Sequence, residues 1–91
     1  MNNTEFKQAI WKILQEECGA GEDTYGFATH SEPISEWRFQ GNLGFGGKIR
    51  FRDGVPYVDC YPEDETILRR IRIAEANTRL LTLYVKAINK S

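Results

Sequence analysis

The sequence predicts an α+β domain ordered α-β-β-β-α, a three-stranded antiparallel meander carrying both helices on one face. Three observations lead there. Apolar residues recur at helical spacing near both ends of the chain, and between those ends the pattern changes to alternation. Within the alternating stretch stands Asp53-Gly54, a dipeptide favoured in two-residue type I′ turns because both residues need positive φ. The chain's 91 residues make one domain, residues 1–91, with one small core.

Residues 4–18 read as an amphipathic helix. Phe6, Ile10, Ile13, Leu14 and Cys18 share a face, and Trp11 widens it. Asn2 with Glu5 three residues on resembles a capping box, although Asn3 or Thr4 could also serve as N-cap. Gly19-Ala20-Gly21 ends the helix, since glycine tolerates the left-handed conformation that follows a last turn. Residues 19–34 read as a loop of a length that is uncommon in a small domain and tends to be functional or mobile, with Thr24-Tyr25-Gly26-Phe27 as a short strand inside it.

The sheet is expected over residues 35–61. Ser35 to Gln40 alternates, with Trp37 and Phe39 on one face and Glu36, Arg38 and Gln40 on the other. A two-residue turn at Asp53-Gly54 pairs Arg52 with Val55, Phe51 with Pro56, Arg50 with Tyr57, Ile49 with Val58 and Lys48 with Asp59. That register buries Ile49, Phe51, Val58 and Cys60 together and leaves Lys48, Arg50, Arg52, Tyr57, Asp59 and Tyr61 on the opposite face. Pro56 lacks an N–H for a ladder on its far side, so residues 55–61 belong at a sheet edge.

Pro62 opens a final helix over residues 62–89, with Glu63, Asp64 and Glu65 complementing its positive end. Ile67, Ile71, Ala74, Thr78, Leu81, Val85 and Ile88 form its main stripe, which Leu68, Ala76, Leu80, Leu83, Tyr84 and Ala87 widen. Such a helix is roughly 35 Å long, against about 20 Å for a six-residue strand, so its last turns overhang the sheet. With apolar residues on more than one side, that end calls for the first helix and a second chain to cover it, which predicts a homodimer through the C-terminal helix.

Composition bounds the function. Hydrophobic residues make up 41% and charged residues 27%, ordinary for a globular protein. No apolar run reaches the length of a membrane span and no signal-peptide pattern opens the chain, so a cytoplasmic protein with no membrane partner is expected. Cys18 and Cys60 are too few for a disulfide framework, and with His30 the lone histidine no zinc spacing exists; no metal or cofactor is expected. Cys60 and His30 are the sole thiol–imidazole candidates, but Cys60 falls on the apolar face, so an enzyme is not expected. The net charge of −1 hides blocks: −5 over residues 1–37, +4 over 38–52, −5 over 53–65 and +5 over 66–91. Such blocks either make surface patches that steer a partner or neutralise one another within the fold.

Gly41-Asn42-Leu43-Gly44-Phe45-Gly46-Gly47-Lys48 lacks phosphate-loop spacing and joins strand to strand, so it reads as a bend that turns Phe45 inward and lets a partner approach. The element order is also that of the double-stranded-RNA-binding domain. The details differ: the second helix starts with Glu63-Asp64-Glu65 where that family has lysines, and Gly41-Asn42-Leu43-Gly44 replaces its Gly-Pro-x-His element. A sequence pI near 5.8 also disfavours phosphate binding. A nucleic-acid-binding module using the basic–aromatic sheet face is therefore the second reading.

Trp37-Arg38-Phe39-Gln40-Gly41-x-Leu43-Gly44-Phe45-Gly46-Gly47-Lys48 and Cys60-Tyr61-Pro62-Glu63-Asp64-Glu65-Thr66 resemble motifs of short proteins encoded by phages and prophages. The resemblance covers about the middle third of the chain and brings no site residue with it. It implies a small accessory protein of a mobile element, a class that often occludes a host complex, anti-CRISPR proteins among them. The first reading is thus a non-enzymatic protein-binding protein that inhibits or modulates a host protein or ribonucleoprotein complex such as a defence nuclease. Its partner surface would comprise Arg38, Lys48, Arg50, Arg52, Tyr57, Asn42 and Phe45.

Overall fold

The computed structural model describes residues 1–41, 46–60 and 67–89. Their order is α1 (Asn3–Cys18), β1 (Glu36–Gln40), β2 (Gly46–Arg52), β3 (Val55–Cys60) and α2 (Ile67–Asn89). This is the expected α-β-β-β-α domain, with one antiparallel sheet in the order β1-β2-β3. The side chain of Cys60, the glycine-rich bend from Asn42 to Phe45 and the helix start from Pro62 to Thr66 lie outside the described residues.

The ends of α1 follow from local chemistry. Asn2 is the N-cap: its Oδ1 accepts from the Glu5 N–H at 2.8 Å, satisfying one of the donors a helix start leaves over. Gly19 closes the helix at φ 70°, a conformation costly for a side-chain-bearing residue. The buried face carries Ile10, Ile13, Leu14 and Cys18, with Trp11 at its margin. Burial pushes the Cys18 thiol up from 9.0 to about 11; Glu17 adds to the rise and Arg72 opposes it.

The hairpin register is the one the alternation predicts, from Arg52↔Val55 through Lys48↔Asp59, around Asp53 at φ 53° and Gly54 at φ 84°. β1 adds Trp37↔Ile49 and Phe39↔Gly47 to the core face. A Cβ on Gly47 would stand 2.7 Å from the Phe39 ring, so glycine there lets the ring lie flat across β2. Phe51, expected to be buried, is half-buried, because its pair with Pro56 is the next after the one flanking the turn, at the margin of the core.

β3 is an edge strand, as Pro56 requires. Ladder alternation turns the N–H and C=O of Val58 away from β2, and the Asn77 side chain meets both. Val58 N–H donates to Asn77 Oδ1 at 2.7 Å, and Asn77 Nδ2 donates to Val58 O at 3.3 Å. One amide thus stands in for a neighbouring strand.

α2 is rotated relative to the expected packing. Its inner face is Ala76 and Leu80, fully buried, with Ile73 and Leu83 packed against the core. The expected main stripe faces outward instead: Ile67, Ile71, Leu81, Val85 and Ile88 are all exposed. Apolar periodicity marks both faces equally, and the polar groups decide between them. Asn77 must reach β3, and Arg79 must reach α1, where it pairs with Glu16 at 2.7 Å and Glu17 at 3.0 Å. The C-terminal end of α2 lies beside the start of α1 and the hairpin turn, where Phe6, Tyr84 and Ala87 line one cavity with Gly54.

The loop between α1 and β1 holds no strand at Thr24–Phe27; those residues form turns that close on the core. Asp23 organises them, its two carboxylate oxygens accepting from the N–H groups of Phe27 at 2.6 Å and Ala28 at 2.9 Å. Phe27 is thereby driven fully into the core, 5.6 Å from Trp11 and 5.6 Å from Trp37 between ring centroids. Buried Lys7 fastens the far end by donating to His30 O at 2.9 Å. The segment is thus tied to the core by the Phe27 ring and by the charged side chains of Asp23 and Lys7, each bonded to main-chain groups.

Candidate functional site

Strand register brings Arg38, Lys48, Arg50, Arg52 and Tyr57 onto the sheet face opposite the helices. Asn42 and Phe45 lie outside the described residues. The face is mixed rather than basic, because the same alternation adds Glu36 and Asp59. Arg50 is central: its Nε donates to Glu36 Oε1 at 3.0 Å and its Nη1 to Asp59 Oδ2 at 3.1 Å. Lys48 Nζ lies 3.5 Å from the same Glu36 oxygen. Arg52 stacks over Tyr57, its guanidinium carbon 5.6 Å from the ring centroid.

Titration follows this geometry. Partial desolvation pushes the Glu36 carboxyl up, but Lys48 and then Arg50 outweigh it and hold the group below the usual carboxylate value. The hydrogen bond to Glu36 raises the Arg50 guanidinium further. Arg50 is held by two protein carboxylates, with which a phosphate would compete. Across strands, Glu36 and Asp59 offset part of the charge of Arg38, Lys48, Arg50 and Arg52 here. Sequence reasoning placed Glu36 and Asp59 on this face without weighing their effect; pairing each strand's charges across the register would have shown it.

A second feature lies beside this face. Between the 21–25 segment and the free edge of β1 runs a cleft of about 530 Å³, lined by Trp11, Tyr25, Trp37, Arg38, Phe39 and Gly47 among others. Its far wall is fixed: Trp11 Nε1 and Gln15 Nε2 donate to Gly21 O at 2.8 and 3.1 Å, and Ala20 bridges Gly41. Phe51 N–H donates to Ser35 O, which sets the phase of the β1 ladder. Residues 35, 37 and 39 turn their main-chain groups to β2, so Glu36 and Arg38 present N–H and C=O outward to the cleft. These groups have no main-chain partner among the described residues. Sequence reading puts the loop between helix and sheet in the partner surface, but the cleft between Tyr25, 88% exposed, and the β1 edge was not legible, because loop and strand come together only in the fold.

Among the described residues no group of three or more His, Cys, Asp or Glu could hold a metal ion, and no helix is long and apolar enough to cross a membrane. His30 packs against Trp37 at 5.4 Å between rings, and Cys18 is buried in the core. No protein family, curated protein or solved structure matches the chain.

Proposed function

We propose that this chain is a non-enzymatic protein-binding module that receives an extended segment of a partner protein along the free edge of β1. One observation carries the reading: the sheet's two edges are treated oppositely. Pro56 and Asn77 close the β3 edge, whereas Glu36 and Arg38 leave theirs open beside an aromatic-lined cleft. An added strand would take main-chain hydrogen bonds from that edge and place alternate side chains in the cleft and on the charged face. In the wider reading the protein is an accessory factor of a phage or mobile element, cytoplasmic, that occupies a binding segment of a host complex such as a defence nuclease. A homodimer through α2 would present two copies of the edge to one such complex. The nucleic-acid alternative is disfavoured by Glu36 and Asp59, which already neutralise the central arginine of the basic face.

Display of random peptides against the immobilised protein tests this. Selected peptides should perturb the amide resonances of Glu36 and Arg38 and lose binding in Arg38→Pro, which removes an outward N–H while sparing the β2 ladder. Unchanged binding by Arg38→Pro would refute edge addition. Salt-sensitive RNA or DNA binding abolished by combined Ala substitution of Arg38, Lys48, Arg50 and Arg52 would favour the alternative.

A further inference from the structure

The outward face of α2 has a more specific pattern than exposure alone. Ile67, Ile71, Ala74, Thr78, Leu81, Val85 and Ile88 follow spacings of four and three without a break over three heptads. A strict a/d stripe of this kind is the narrow seam of a coiled coil, not the broad face by which a helix covers a globular core. The broad face exists separately on α2, where Ala76 and Leu80 are buried within the domain. The seam is open: Ile67 is 77% exposed, Ile71 51%, Leu81 53%, Val85 45% and Ile88 54%.

We infer that this seam pairs with its copy in a second chain, as a parallel two-stranded coiled coil. The heptad positions and their flanks point to that occupant. Ile71, Thr78 and Val85, all β-branched, fall at a, as in two-stranded seams, and Ile67, Ala74, Leu81 and Ile88 fall at d. The flanks agree in charge: Arg70 falls at g and Glu75 at the following e, positions that face each other across a parallel in-register seam. The inner face of each helix is taken by its own domain, so the two domains lie on opposite sides of the seam and leave room for one partner helix.

Sedimentation of the full chain across the micromolar range, with oxidative cross-linking, tests the inference. The expected result is a dimer that L81K with V85K converts to a folded monomer with unchanged helical circular dichroism. Both positions are exposed in the single chain, so loss of the dimer should not cost the fold. In V85C the two introduced thiols should join across the seam, with the parent chain as control and peptide mass mapping to exclude Cys18 and Cys60. A monomeric wild type, a trimer, or a dimer that survives L81K with V85K would overturn the inference. So would cross-linking between mixed I71C and V85C chains without a V85C–V85C product, which marks an antiparallel seam.

Discussion

Asn77 offers the most direct test of how the sheet is finished. Its amide accepts from Val58 N–H at 2.7 Å and donates to Val58 O at 3.3 Å, where Val58 is only 4% exposed. Asn77→Ala removes both bonds and leaves a donor and an acceptor beneath α2 with little water to replace the partner. Two neutral hydrogen bonds contribute about 1 kcal/mol each, and a stranded buried group adds its desolvation, so the expected loss is about 2–4 kcal/mol. A domain of this length has only about 5–14 kcal/mol in total. Asn77→Asp keeps the acceptor but sets a half-buried carboxylate against Val58 O, so its loss at neutral pH should equal or exceed that of Asn77→Ala. Urea unfolding followed by circular dichroism measures both. A change below about 0.5 kcal/mol in Asn77→Ala, the range of an ordinary surface substitution, would refute the account of β3.

Two further outcomes follow from the core. Gly47→Ala should destabilise the protein by about 1–3 kcal/mol, read as a lowered thermal midpoint, because the new Cβ would stand 2.7 Å from the buried Phe39 ring. An unchanged midpoint would mean that the ring moves aside freely. The Cys18 thiol should resist alkylation in the native protein at pH near 9.0 and react once the chain is unfolded, as mapped by mass spectrometry. Its folded value of about 11 lies above the ordinary 9.0, so the stability it contributes is present below pH 9.0 and fades as the pH rises towards about 11. Equal reaction rates in the two states would place the thiol outside the core.

The strands were legible because alternation, Asp53-Gly54 and Pro56 constrain the same register from three directions. The packing of α2 was not, since each of its faces has an apolar stripe and periodicity carries no sign. The informative differences were the unbroken heptad on one face and Asn77 on the other, a polar residue that only an edge strand explains. Phe27 was hidden for another reason. A turn held by a carboxylate has no period, and only the spacing from Asp23 through Gly26 to Phe27 hints at it. At the candidate site, charge counted along the chain leaves patches and neutralisation both open, because neighbours on a sheet lie across strands.

The unequal edges also set a stoichiometry. A sheet open at both sides can add strands without end, each newcomer offering a fresh edge to the next. Among the described residues growth is favoured at β1, since a neighbour approaching β3 meets a proline ring and a side-chain amide where it needs free main-chain groups. If two copies met through β1, each would consume the other's open edge and the assembly would close. The finished surface can therefore hold one added strand per chain while denying it a route to polymerisation.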